Sequence, residues 1–363
     1  VRAAVAAVAL LPLAACGSTG GASPAASTAP QVTGTFKAAG ASSQQKAMGA
    51  WIEGFTAANP GVSVTYDPAG SGKGREEFLA GTTAYGASDV PLTDDEMKAS
   101  GQACDGGNAI DLPVYISPIV VVFDVPGVAA LNLSSATIAR LFTGKIHTWD
   151  DAEVAADNPG VQLPDLPVTP VHRSDSSGTT DNFTDWLHAT APDAWEFDAS
   201  SDWPLADGLS GEGTGGVVDV VKATAGAVAY VDASQAGGMG TAAINVGGTW
   251  VKSSAAGAAG AAGLSPRDES RYQDDMSYRL DRTTTNTNAY PLVLVSYLLV
   301  CSRYTDHEQG QFVKAFVDYI ASDAGQAAGT KAAGSAALTP AQQDWLRSAA
   351  NDIFLVPEAK AKS

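Results

Sequence analysis

Histidine and cysteine are scarce: four of one and three of the other in 363 residues. His147, His172, His188 and His307 have no metal-ligand spacing, and no CxxC pair occurs, so neither a zinc centre nor a dithiol motif is indicated. Positive charge is also scarce. The 21 Lys and Arg stand against 39 Asp and Glu, a net charge of −18. Nucleic-acid binding needs a basic patch, and none is visible. Nucleotide motifs are missing as well. Around Gly72-Lys73 a Walker A loop would need Gly and Ser or Thr where Asp67 and Gly74 stand, and a dinucleotide fingerprint would need Gly at Arg75. No GxSxG surrounds any candidate serine, so the sequence does not read as an enzyme. A charged fraction of 17% beside 45% hydrophobic residues is a globular composition, long enough for two domains.

The first sixteen residues, VRAAVAAVALLPLAAC, place Arg2 before an apolar run too short to span a bilayer. Its end, Leu13-Ala14-Ala15-Cys16, resembles the lipobox of bacterial lipoproteins, which are cleaved before the cysteine and lipidated on it. An ordinary signal peptide with a coincidental cysteine is the alternative. Residues 17–31 hold no aliphatic side chain larger than Ala and read as a flexible tether. The expectation is an exported chain anchored through Cys16 to the outer face of the cytoplasmic membrane, at a cell surface or in a periplasm. In that setting Cys104 and Cys301 are expected to form a disulfide, two separate buried thiols being the alternative.

From Thr35 strands and helices alternate, which argues for an α/β fold. A strand over 34–40 leads to a helix over 44–58 with Ala47, Met48, Trp51, Ile52 and Phe55 at helical spacing. A strand over 62–66, a turn over 70–74, a helix over 75–79 and a short strand near 85 follow. Two apolar runs, Pro113–Val125 and Pro291–Cys301, read as strands buried on both faces. Side by side, they would be the strands that cross between two lobes. Short helices are expected over 134–143, 180–187 and 215–224. The Ala-Gly tract 255–263 reads as a surface loop.

Three Gly/Ser-rich turns open helices: Gly40-Ala41-Ser42-Ser43-Gln44, Gly70-Ser71-Gly72-Lys73-Gly74, and Arg173-Ser174-Asp175-Ser176-Ser177-Gly178-Thr179-Thr180. Each places hydroxyls and free backbone N–H groups at the positive end of a helix dipole, which suits a small anion. Any one of them could equally be an N-cap with a turn-forming glycine. Three in one chain, one carrying Arg173, favour the anion.

These residues, in the stretches AAGASSQQKAMGAWIEGF, DPAGSGKGREEFLAGTTAYGASDVPL, GKIHTWDD and VHRSDSSGTTDNFTDWL, resemble the phosphate-specific substrate-binding proteins of bacterial ABC importers. The resemblance runs from about Thr35 to about Ile353. It implies two α/β lobes of the periplasmic-binding-protein type, here 32–118 with 292–363 and 119–291, and a ligand cleft between them. By that resemblance Ser42 and Ser43 would bind phosphate from the first turn and Ser71 from the second. Asp89 would accept from the ligand, Arg173 supply the positive charge with Asp175 holding it, and Ser177, Gly178 and Thr179 donate from the third turn. Relatives often carry Thr-Phe where Ser42-Ser43 stands. The implied activity is capture of inorganic phosphate and delivery to permease subunits by hinge closure, in a monomer without cofactor.

The competing readings are a receptor for sulfate or molybdate, a phosphate-handling hydrolase, and an adhesive surface lipoprotein. Asp89 bears on the first. A carboxylate facing an anion makes sense only if the anion brings a proton, as phosphate does at neutral pH and sulfate does not. Alternatively Asp89 caps a helix starting near Thr93.

Overall fold

The computed structural model describes residues 32–357 apart from residue 273. The expected signal peptide, the lipobox with Cys16 and the tether over 17–31 lie outside the described residues.

Three parallel strands open the described chain: β1 (Gly34–Gly40), β2 (Val62–Asp67) and β3 (Tyr85–Ser88). Between β1 and β2 a 3₁₀ turn at Ser42–Gln44 leads into α1 (Gln45–Ala58), which buries Ala47, Met48, Trp51 and Phe55 as their spacing requires. Between β2 and β3 lies α2 (Ser71–Leu79), which begins at Ser71 rather than at Arg75. Gly70 turns the chain at φ +100°, and the glycines after it continue as helix. They let the helix lie close to the sheet: a Cβ at Gly74 would come 2.5 Å from the Ala87 carbonyl oxygen. α3 (Asp94–Ala103) follows, capped by Thr93 in a reciprocal pair with Glu96.

β4 (Ala109–Phe123) is buried along its whole length. The middle of the chain then supplies β5 (Ala130–Leu133), α4 (Ser135–Phe142), α5 (Ala152–Asp157), β6 (Thr169–Arg173), α6 (Gly178–Thr190), β7 (Leu209–Gly211), α7 (Gly213–Ala223), β8 (Ala227–Asp232), β9 (Gly240–Val246), β10 (Thr249–Val251) and α8 (Ala255–Leu264). β11 (Val293–Cys301) and the helices α9 (His307–Ala321), α10 (Asp323–Ala333) and α11 (Pro340–Asp352) follow.

The two apolar runs do lie side by side. β11 pairs antiparallel with the first part of β4, from Cys301 opposite Ala109 to Val293 opposite Pro118, with a register shift between Ser296 and Tyr297. The last part of β4, Ile119 to Phe123, pairs instead with β8. The sheet therefore runs β2-β1-β3-β11-β4-β8-β6-β7, with β9 also on β4. This is a two-lobed α/β architecture joined through β4 and β11. Cys104, just past α3, and Cys301, at the end of β11, form a disulfide that links positions 197 apart in sequence.

The Ala-Gly tract departs from its expectation as a surface loop. It forms α8, with Ala258, Ala261 and Ala262 buried. Alanine is the best helix former, and Ser254 caps the first turn by accepting from Gly257 N at 3.0 Å. The glycines admit a neighbouring segment, since a Cβ at Gly260 would come 2.7 Å from the Asn288 carbonyl oxygen.

Candidate functional site

The three Gly/Ser-rich turns converge. Gly70 N donates to Gly40 O at 2.8 Å, which ties the second turn to the end of β1. Gly72 N donates to Ser176 O at 3.0 Å, which ties the second turn to the third. Ser42, Ser43, Ser71, Asp89, Arg173, Ser177, Gly178 and Thr179 are all buried. α2 and α6 thus direct their first turns, whose leading N–H groups have no partner within a helix, at one buried region.

Asp89, the residue after β3, is the hub. Its Oδ1 accepts from Ser43 Oγ and from Ser296 Oγ, each at 2.5 Å, and its Oδ2 accepts from Thr179 Oγ1 at 3.0 Å. Its backbone N–H donates to Ser71 Oγ at 3.0 Å, and its carbonyl accepts from Asn182 Nδ2 at 2.9 Å. Burial pushes the Asp89 carboxyl above its ordinary value, while the Ser296, Ser43 and Thr179 hydroxyls and the Arg173 charge oppose that rise. The helix-capping alternative is not realised, because Thr93 caps α3.

Arg173 ends β6 and is 3% exposed. Its Nε donates to Asp175 Oδ1 at 2.7 Å, and its second donor reaches Asp175 Oδ2. This two-pronged geometry fixes the plane of the guanidinium. Asp175 is fixed in turn by Gly213 N, at 2.9 Å. Lys73 instead pairs with Glu76 on an exposed face, and Arg75 pairs with Glu96.

Ser177 is the N-cap of α6 and accepts from Thr180 N at 3.2 Å. Gly178 sits where a side chain has no room: a Cβ there would come 2.6 Å from Ser71 Oγ and 2.7 Å from Asp89 Cβ. Ser42 bonds to Thr214. Its hydroxyl shares a 2.9 Å hydrogen bond with Thr214 Oγ1 and accepts from Thr214 N at 3.0 Å.

Thr214, Ser296 and Asn182 were not singled out in the sequence, although each touches a residue that was; Gln44, named there only as the end of the first turn, reaches Ser296 and Tyr297. Two of them left a legible trace. Glu212-Gly213-Thr214-Gly215-Gly216 is a fourth Gly-rich turn opening a helix, and Ser296 is a lone small polar residue inside the apolar stretch LVLVSYLLVC.

Comparison with known proteins places the chain. The model of the PBP superfamily domain matches residues 25–324. The phosphate-binding protein PstS 3 of Mycobacterium tuberculosis is 35% identical over 291 residues, covering 78% of this chain and 77% of that protein. The phosphate-binding protein PstS of Methanocaldococcus jannaschii is 32% identical over 295 residues, covering 75% of each. Among solved structures, a high-affinity periplasmic phosphate-binding protein, PfluDING, bound with phosphate superposes with a TM-score of 0.72. It is 23% identical, over 87% of this chain and 93% of that one, which supports the shared fold. The chain belongs to the PstS family of phosphate-binding proteins, within the PBP superfamily.

Proposed function

We propose that this chain captures inorganic phosphate outside the cytoplasmic membrane and delivers it to the permease of an ABC importer. The observation that carries the reading is the pairing of a buried acceptor with buried donors. Asp89 stands where α2 and α6 point their N-termini, with the Arg173 guanidinium held beside it by Asp175. Helix N-termini and one guanidinium favour an oxyanion. A carboxylate among them favours an oxyanion that still carries a proton. Phosphate has that proton at neutral pH, and sulfate has none.

In this reading the ligand oxygens are held by Ser42, Ser43, Ser71, Arg173, Ser177, Gly178 and Thr179, with Asp89 accepting the P–OH. Residues 32–118 with 292–363 form one lobe and 119–291 the other, and closure about β4 and β11 is the conformational step. Ser42, Ser71 and Asp89 belong to the first lobe, Arg173 and 177–179 to the second, so the anion favours the closed form by touching both. The lipid on Cys16, exposed as the first residue once the leader is cleaved, anchors the protein, as a monomer, to the membrane that holds the permease. The anion is bound and released unchanged.

Calorimetric titration with phosphate, arsenate and sulfate tests the reading. Phosphate and arsenate should bind at one site per chain and compete, with sulfate far weaker. Absence of phosphate binding would overturn it, and equal binding of sulfate would favour a general oxyanion receptor.

A further inference from the structure

We infer that Ser296 and Gln44 are positioning residues for selectivity: they hold Asp89 as a carboxylate that can only accept, and so make a proton on the ligand obligatory. The inference rests on the phosphate reading above and deepens it. It starts from the direction of a hydrogen-bond chain. Gln44 Nε2 donates to Tyr297 O at 3.2 Å and to Ser296 Oγ at 2.5 Å. Rotating the amide would set Oε1 against the Tyr297 carbonyl, two acceptors facing each other, so the amide has one orientation. Ser296 Oγ therefore receives a proton from Gln44. A hydroxyl has one proton to give, and that of Ser296 goes to Asp89 Oδ1.

The backbone supports the same arrangement. Ser296 sits on β11, at the point where its register with β4 shifts, inside an otherwise apolar strand. Gln44 ends the 3₁₀ turn that carries Ser42 and Ser43. Gln44 and Ser296 are fully buried, and Asp89 is nearly so. Among the described residues Gln44 Oε1 has no hydrogen-bond partner, so the contacts of this amide are those of its donor side.

A donor to the charged form of a carboxyl favours that form. Asp89 is buried and its proton affinity is raised by that burial, and the Ser296, Ser43 and Thr179 donors oppose the rise. The other charged or titratable groups around it are Arg173 and Tyr66, with Asp181, Asp185, Tyr278, Arg279, Arg282 and Tyr297 lining the adjoining cavity. A protonated Asp89 would be able to donate, and the site would then accept a proton-free anion such as sulfate. Ser296 and Gln44 work against that state.

The test is the ratio of phosphate to sulfate affinity as a function of pH, measured on the purified full chain for wild type, Ser296→Ala, Ser296→Thr and Gln44→Leu. In wild type the ratio falls on acidification as Asp89 takes up a proton. In Ser296→Ala that fall should move to higher pH by about one unit, a roughly ten-fold loss of selectivity within the window. Ser296→Thr, which keeps the hydroxyl, should restore the wild-type profile. Gln44→Leu, which frees the Ser296 proton to turn away, should shift it in the same direction by less. A purely structural role would lower both affinities together and leave the profile in place. Unchanged profiles in Ser296→Ala and Gln44→Leu, beside a discriminating wild type, overturn this inference alone. A wild type that binds no phosphate overturns the phosphate reading and this inference with it.

Discussion

Thr179 Oγ1 donates to Asp89 Oδ2 at 3.0 Å, joining the first turn of α6 to the residue that follows β3. The two residues lie 90 positions apart in sequence and on opposite sides of the crossing strands. Between them Gly178 provides the clearance, because a Cβ there would reach Ser71 Oγ and Asp89 Cβ inside normal contact.

Gly178→Ala should therefore weaken phosphate binding without unfolding the chain. Overpacking costs about 1–3 kcal/mol, which is roughly five- to a hundred-fold in affinity. The clash arises only when the two turns meet. Small-angle scattering should show wild type compacting with phosphate while the variant stays near its ligand-free radius. Full compaction of the variant at wild-type affinity would contradict the close approach.

Arg173→Ala should nearly abolish binding. It removes the buried guanidinium and leaves the Asp175 carboxylate facing only Gly213 N among the partners described here. In the proposed site the guanidinium pairs with the buried anion, and removing one partner of such a pair costs about 3–5 kcal/mol, so affinity should fall at least a hundred-fold. Lys73→Ala is the control, since Lys73 makes an exposed pair with Glu76 and such pairs contribute about 0–1 kcal/mol. A larger loss in Lys73→Ala than in Arg173→Ala, by the same titration, would put the anion elsewhere.

Asp232 gives a prediction about stability rather than ligand. It ends β8 fully buried, accepts from Tyr115 Oη at 3.0 Å and from Ser234 N at 2.9 Å, and is pushed up to about 6 by burial. The folded state therefore holds a proton at pH values where the unfolded chain has lost it. That contribution is complete below the ordinary carboxylate range and is lost as pH rises towards 6. Asp232→Asn keeps the acceptor and removes the charge. The variant should gain on wild type as pH goes from 4 to 7, by about 1–3 kcal/mol in denaturant melts. A gap that stays constant or reverses sign would show that burial does not dominate at this carboxyl.

Much of the site was legible because its parts are local. Arg173 with Asp175, and Ser177-Gly178-Thr179, sit within seven consecutive residues, and a turn before a helix is visible in sequence. The crossing strands were legible because burial on both faces leaves an uninterrupted apolar run. The roles of Ser296 and Gln44 were hidden for the opposite reason. Their roles arise from a meeting 252 residues apart in the chain, and a single serine in a strand has no periodic signature. α8 was misread because alanine and glycine lack a polar face. The apolar pattern that marks other helices is absent there, and the glycines serve the approach of Asn288 and Tyr290. The start of α2 was placed too late because glycine reads as turn, whereas Gly72 and Gly74 are helical positions chosen for closeness.

The central claim is that a buried carboxylate selects an anion that carries a proton. It is tested most directly by titrating wild type and Asp89→Asn with phosphate and with sulfate at pH 7. A site built around a ligand's donor rejects an analogue lacking it by about 10⁴ or more, so wild type should prefer phosphate on that scale. Asp89→Asn replaces an obligate acceptor with an amide that can also donate, and should lose most of that preference. A wild type that binds sulfate within about ten-fold of phosphate, or a variant that keeps the full preference, would contradict the account.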